Sequence, residues 1–425
     1  MLNEKIVDAY LAILKEELIP ATGCTEPIAV AYAAAQMRKA LGAEPDRVLA
    51  EVSGNILKNV KSVVVPNTGG MKGLKAAVAV GIVAGEADRE LQVIASVPEE
   101  KHADIAAFLD KVPIQVSCPD TPHVLDIAIT GWAGESCAKV RIADSHTNIV
   151  LIEKDGKVLM EKDMNEAGGG EQMTDRSVLN LADILEFANT VDTARLAPML
   201  DVQIQYNTAI AEEGLRGNWG SNLGSLLLDT FGNDIRTEAR AWAAAGSDAR
   251  MSGCEMPVCI VSGSGNQGMT ASLPVIRYAK HLKVSQEKLY RALAVSDLVT
   301  IHQKTGIGRL SAYCGAISAG AGAGAGIAYL LDGSYEAISH TVVNAVAMLS
   351  GTICDGAKAS CASKIAAGVE AGIMGYEMYK TNNNFNGGDG ILADDPEETI
   401  VNVGVLAREG MKQTDRTILE IMTKE

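Results

Sequence analysis

The sequence predicts an α+β fold, a mainly helical domain joined to a smaller α+β domain. Three observations lead there. Alternating and β-branched runs are confined to residues 46–165. From about residue 170 onward the apolar spacing is helical. With 42 Gly and only 4% aromatic residues, the helices are expected to pack through small-residue contacts. The expected division is N-terminal helices over 1–45 packing on the helical domain, an α+β domain over 46–167, and a helical domain over 168–425.

Taken in order, residues 1–20 form an amphipathic helix, IPATGCTEP (19–27) breaks it, and IAVAYAAAQMRKAL (28–41) resumes. Strands are predicted at RVLAEVSG (47–54), SVVVP (62–66), LQVIASV (91–97), PIQVSC (113–118), VLDIAITG (124–131), CAKVRIAD (137–144) and NIVLIEKDGKVL (148–159). A helix over 69–85 interrupts them. GGGEQMTD (168–175) reads as a linker, with Thr174 or Asp175 as an N-cap. Helices follow at 177–190, 193–214, 273–282 and 285–305, and in Ala/Gly-rich stretches near 240–250, 311–331 and 341–374.

Composition narrows the function classes. A net charge of −16 and 47% hydrophobic residues describe a chain with a sizeable core and an acidic surface. A nucleic-acid groove needs clustered Lys and Arg, so nucleic acid is not an expected partner. An anionic membrane surface is disfavoured for the same reason. Residues 311–331 carry no charge and are long enough to span a bilayer. They are mostly Gly, Ala and Ser, with no basic flank, so a buried helix is expected instead. The N-terminus lacks the basic and apolar regions of a signal peptide, and a cytoplasmic location is expected. Eight Cys in 425 residues do not make a disulfide scaffold.

Three of those Cys stand in Gly-rich settings in the helical half: Cys314, Cys354 and Cys361. On a continuous helix Cys354 and Cys361 would be separated by about 10 Å of rise. That is too far to share one zinc ion. They could grip different corners of an iron–sulfur cluster, or the same one if Asp355-Gly356 turns the chain. Three ligands would leave one iron open as a Lewis acid. Core packing is the competing explanation, since free Cys is among the most buried residue types. Cys118, Cys137, Cys254 and Cys259 are assigned to it.

Other residues add to this constellation. The Gly-rich Ser262–Gly268 stretch, with Ser262, Ser264 and Asn266, offers an anion nest for a carboxylate, or simply a turn. Thr68, within PNTGGMKG (66–73), offers a similar loop that is equally a turn. Lys304 and Lys358 rank first among possible partners for a carboxylate, ahead of Lys58, Asn59, Arg309 and Lys364. No H-x-x-x-H pair or G-x-S-x-G elbow supports hydrolase chemistry, and His302 is the one His near these groups. Thr25 reads as an N-cap, with Glu26 and Pro27 opening the helix; Cys24 would then precede its positive end. Glu26 is read as a favourable first-turn acid.

Gly23-Cys24-Thr25-Glu26-Pro27, Ser262–Gly268, the run from 309 to 315 and Gly351–Lys358 together resemble the L-cysteine desulfidases, relatives of the iron–sulfur L-serine dehydratase α chain. The resemblance runs end to end. It implies a 4Fe–4S cluster on Cys314, Cys354 and Cys361, with Cys24 as acid/base. It also implies α,β-elimination of L-cysteine to pyruvate, ammonia and sulfide. As in the desulfidase branch, the last two cluster cysteines are closely spaced and the chain ends in Met-Thr-Lys-Glu rather than Cys. L-Serine dehydration and non-enzymatic amino-acid sensing are the alternatives. A homodimer is compatible with the small-residue helices.

Overall fold

The computed structural model describes residues 2–22, 25–162, 173–308 and 311–423. The chain opens with α1 (Glu4–Glu17), capped by the Asn3 side chain, which accepts from the Ile6 N–H. A short strand, β1 (Pro20–Thr22), leads to α2 (Thr25–Leu41). Then come β2 (Arg47–Val52), α3 (Gly54–Val60), α4 (Gly73–Ala84), α5 (Lys101–Lys111), β3 (Ile114–Ser117), β4 (Asp126–Ala133), β5 (Ser136–Ala143), β6 (Ile149–Lys154) and β7 (Lys157–Glu161).

β2 to β7 form one sheet in the order β3-β2-β4-β5-β6-β7. Only β2 and β3 are parallel, with Val48 opposite Ile114. A parallel pair needs a long crossover, and α3, α4 and α5 provide it. α2 is buried at every position from Pro27 to Ala35 and packs with the sheet and α4 in one apolar cluster. Gly81 makes this approach possible, because a Cβ there would lie 2.2 Å from the Ala31 carbonyl oxygen.

The helical domain contains α6 (Leu181–Thr190), α7 (Ala197–Arg216), α8 (Leu223–Phe231), α9 (Ile235–Met251), β8 (Pro257–Cys259), α10 (Gly265–Leu282), α11 (Gln286–Ile307), α12 (Gly315–Leu331), α13 (Tyr335–Leu349), α14 (Cys361–Lys380), α15 (Pro396–Val405) and α16 (Lys412–Thr423). A π-helical turn, Leu406–Gly410, joins the last two. α12 runs through the centre, buried from Ala316 to Leu330. Its glycines are the reason it fits. A Cβ on Gly320 would lie 2.3 Å from Gly368 backbone atoms of α14, and one on Gly322 would lie 2.1 Å from Thr300 Oγ1 of α11. Among the described residues no helix is long and apolar enough to cross a membrane.

The structure departs from the sequence expectations in several places. Helices α1 and α2 separate: α1 joins the apolar core of the helical domain, while α2 is central to the core of the sheet. An all-apolar helix such as α2 has no polar face to signal which layer takes it. Residues 62–66 and 91–97 are not strands. The first makes a single bridge, Val64 with Lys72, because Gly69, Gly70 and Gly73 (φ +68°, +91° and +88°) turn the chain straight back. The second folds as a 3₁₀ segment and turns that bury Val93 and Ile94 without strand partners. α3, α5, α8, α15 and α16 were not anticipated, nor was the antiparallel pairing of β1 with β8. Asp175 does cap, accepting from the Ser177 N–H, whereas Thr25 stands inside α2. Most of the expected linker lies outside the described residues.

Candidate active site

A cavity of about 140 Å³ lies where the two domains meet. From the helical domain it is lined by Arg250, Ser262, Ser264, Asn266, Gln267, Lys304, Cys314, Cys354, Cys361 and Lys364. From the other side come Glu26 at the start of α2 and Asn55, Lys58 and Asn59 of α3. Positions 55, 58 and 59 stand at helical spacing, so a single face of α3 supplies all three.

Three helix N-termini meet this cavity. Ser264 caps α10, its hydroxyl accepting from the Gln267 N–H; Cys314 is the N-cap residue of α12; Cys361 is the first residue of α14. Each brings the partial positive charge of a helix N-terminus. The turn into α10 is set by two successive left-handed residues, Ser262 (φ +49°) and Gly263 (φ +76°). The glycine stripe of α12 draws α14 close, which brings Cys361 beside Cys314.

Cys354 reaches the site by a different route. Its N–H donates to the Ala312 carbonyl at 2.5 Å, the Cys314 N–H donates to the Thr352 carbonyl at 3.0 Å, and Tyr313 bridges Ile353. This clasp places the two thiols side by side. The Cys314 thiol donates to Cys354 and lowers it. Burial opposes that shift, while the Gly356 N–H, Lys58 and Lys364 reinforce it; Cys354 is held well below the usual thiol range. Cys314, as the donor in a buried position, is pushed up. Burial also raises Cys361, whose Sγ lies 3.6 Å from the Gly356 carbonyl.

The cations around the thiols differ in their partners. Lys58, only 3% exposed, pairs with Asp415 of α16. Lys364 donates to the Ile353 carbonyl at 2.8 Å and to Asp355 at 2.6 Å. Burial would raise Asp355, but Lys358 and Lys364 hold it down to about 2. Lys304 is buried at the end of α11; desolvation lowers it to about 8, while Cys354 and Cys314 favour its charged form.

Among the described residues no three His, Cys, Asp or Glu side chains close on a point as they would around a single ion. The thiols of Cys314, Cys354 and Cys361 instead border a shared space, and they are soft donors without a carboxylate among them. That donor set suits a multinuclear sulfur-bridged group better than one hard cation.

Of the residues singled out from the sequence, Ser262, Ser264, Asn266, Lys304 and the three Cys line the cavity. Thr68 does not. Its hydroxyl donates to the Val65 carbonyl at 2.7 Å, and the loop opens on a separate depression beside Gly253 and Glu255. Lys358 is likewise absent from the lining, pairing with Asp355 instead. His302 is held by Glu397 at 2.6 Å, away from the thiols. Cys24 and Arg309 lie outside the described residues. Sequence reasoning missed Arg250, Gln267 and Asn55, and assigned Glu26 only to its helix. The polar positions of α3 and of ALA-rich α9 were the available signals. His146, on the loop after β5, is lowered by burial and partly pulled back by Glu26.

Comparison with known proteins adds a family context. Residues 88–420 match the family described as serine dehydratase alpha chain. A UPF0597 protein of Desulfitobacterium hafniense (strain Y51) is 56% identical over 423 residues, covering 100% of this chain and 98% of that one. A UPF0597 protein of Treponema denticola is 47% identical, with 98% of each chain covered. One from Lachnoclostridium phytofermentans is 49% identical, with 99% of each covered.

Proposed function

The chain belongs to the serine dehydratase alpha chain family, and from that premise we propose that it is an iron–sulfur-dependent lyase that degrades L-cysteine to pyruvate, ammonia and sulfide. The observation that carries the proposal is the convergence of Cys314, Cys354 and Cys361 with three helix N-termini on one cavity. In this reading the three thiolates hold a 4Fe–4S cluster. When bound, such a cluster with one iron lacking a protein thiolate supplies a Lewis acid for the substrate's sulfur or carboxylate.

The protein's own groups account for the remainder. Ser264, Asn266 and the first turn of α10 bind the substrate carboxylate, with Ser262 and Lys304 alongside. Lys58 and Lys364 keep the site electropositive, which favours thiolate ligands. Cys24, the residue before α2 in the chain, takes the α-proton as general base. Loss of that proton and of hydrosulfide leaves aminoacrylate, which tautomerises and hydrolyses to pyruvate and ammonia. The seven free thiols among the described residues suit a reducing cytoplasm.

The second reading is L-serine dehydration, supported by the name of the family. Anaerobic reconstitution with iron and sulfide, followed by pyruvate assays with both amino acids, separates the two. Sulfide and pyruvate in equal amounts from cysteine are expected, and only with the brown visible absorbance present. Pyruvate from serine alone would favour the second reading. Cys354→Ser is expected to lose the absorbance, and Cys24→Ser to keep it while losing turnover.

A further inference from the structure

The cavity has two chemically different walls. The helical-domain wall carries thiols, Arg250, Lys304 and Lys364. Glu26 is the single carboxylate among the described lining residues. Its oxygens accept from Asn59 Nδ2 at 3.3 Å and Thr25 Oγ1 at 3.5 Å, both neutral donors. Among the described residues no cation forms an ion pair with it, while Lys58 is held by Asp415 and Lys364 by Asp355. His146, the titratable group beside Glu26, is kept towards its neutral form by burial.

Two more acceptors point the same way. Asn55 Oδ1 and Gln267 Oε1 are buried, belong to lining residues, and receive no hydrogen bond. Gln267 is 6% exposed, and its amide is packed against Gly315, where a Cβ would come within 2.6 Å of it. A buried acceptor without a donor is costly unless a ligand completes it. A carboxylate and two amide oxygens are what an ammonium group, with three donors and one charge, requires.

We propose that Glu26, together with Asn55 and Gln267, forms an ammonium subsite, so that the cavity selects free α-amino acids over their des-amino and N-acylated counterparts. This rests on the reading of the cavity as the substrate site and adds the feature that sets its specificity. The substrate then spans both domains, its carboxylate at the N-terminus of α10 and its ammonium taken by Glu26 of α2 and Asn55 of α3 from one wall and by Gln267 of α10 from the other.

The test is equilibrium binding to the anaerobically reconstituted protein, using L-2-aminobutyrate, butyrate and N-acetyl-L-2-aminobutyrate. None can eliminate sulfide or water, so binding is read apart from turnover. The wild-type protein is expected to bind L-2-aminobutyrate at least about tenfold more tightly than the other two. In Glu26→Gln that ratio should fall to within about threefold, with butyrate affinity unchanged. A wild-type protein that does not discriminate, or a ratio untouched in Glu26→Gln, overturns the proposal. If Glu26→Gln loses the visible absorbance, Asn55→Leu and Gln267→Leu carry the comparison with the same expected direction. A protein that makes no pyruvate yet keeps the Glu26-dependent ratio retains the subsite and loses the lyase reading. Pyruvate production with an unaltered ratio does the reverse.

Discussion

Asp297 and Lys304 stand seven residues apart on α11, and both are ionisable groups taken out of water. Asp297 is fully buried; desolvation pushes its carboxyl up to about 7, opposed by the Gln203 amide donating at 3.0 Å. The sign of its effect on stability follows. Between its unfolded pKa, about 4, and its folded value the native state binds the extra proton, so stability falls as pH rises through that window. Asp297→Asn removes this dependence. Relative to wild type it should gain on the order of 4 kcal/mol between about pH 4 and pH 7. Urea titrations at several pH values measure the difference, and parallel curves for the two proteins would refute the assignment. At this scale the sequence is a good guide to chemical type and a poor one to partnership. Cys314, Cys354 and Cys361 were recognisable as soft donor side chains. That the Cys314 thiol donates to Cys354 depends on the clasp between residues 312 and 354, separated by forty-two positions. Thr68 carried the same local signal as Ser264, and only the structure shows its hydroxyl turned into its own loop.

At the scale of elements, α12 makes the clearest case. Its GAGAGAG run predicted close packing, and the structure identifies the partners as α14 on one side and α11 on the other. Gly320→Ala would drive a methyl group against the backbone of Gly368, which cannot rotate aside as a side chain can. We expect a loss of about 3 kcal/mol, read as a lower denaturation midpoint, together with weaker retention of the visible absorbance because α14 begins with Cys361. A midpoint within error of wild type would show that the helices separate without cost. The strand readings show the complementary lesson. Alternation and β-branched runs located β2, β3, β4, β5 and the β6–β7 hairpin, whether their partners are local, as for β4 to β7, or remote, as for β2. They failed at 62–66 and 91–97, where apolar residues are buried by turns, because a short apolar run has the same appearance in either setting.

At the scale of the whole molecule, the site exists only because two domains are held together. α16 leaves the helical domain and docks on α3. Asp415 pairs with Lys58, and a Cβ on Gly54 would lie 2.4 Å from Leu419. The loop after Cys354 meets the same helix, since a Cβ on Gly356 would lie 2.0 Å from the Lys58 carbonyl oxygen. Asp415→Asn leaves Lys58 buried without its counter-charge and should cost about 2 kcal/mol, less than a fully buried pair because Asp415 is 29% exposed. Hydrogen exchange should rise in α16 and α3 while the core of the helical domain stays protected. Uniform exchange across both domains would argue against a local docking role.

The sequence by itself determined the α+β class, most of the strands in the first half, the glycine-dependent helix packing and the set of soft donor side chains. These depend on residue type and short-range spacing, which a linear chain displays directly. Tertiary structure alone decided that α2 belongs to the sheet, that Thr68 and Lys358 stand outside the cavity, and that Glu26, Asn55, Arg250 and Gln267 stand inside it. Thr68 and Lys358 are turned aside by Val65 and Asp355, three positions away, but the cavity lining depends on which surfaces meet across the domain junction. Such contacts arise between residues hundreds of positions apart, and no local pattern encodes them.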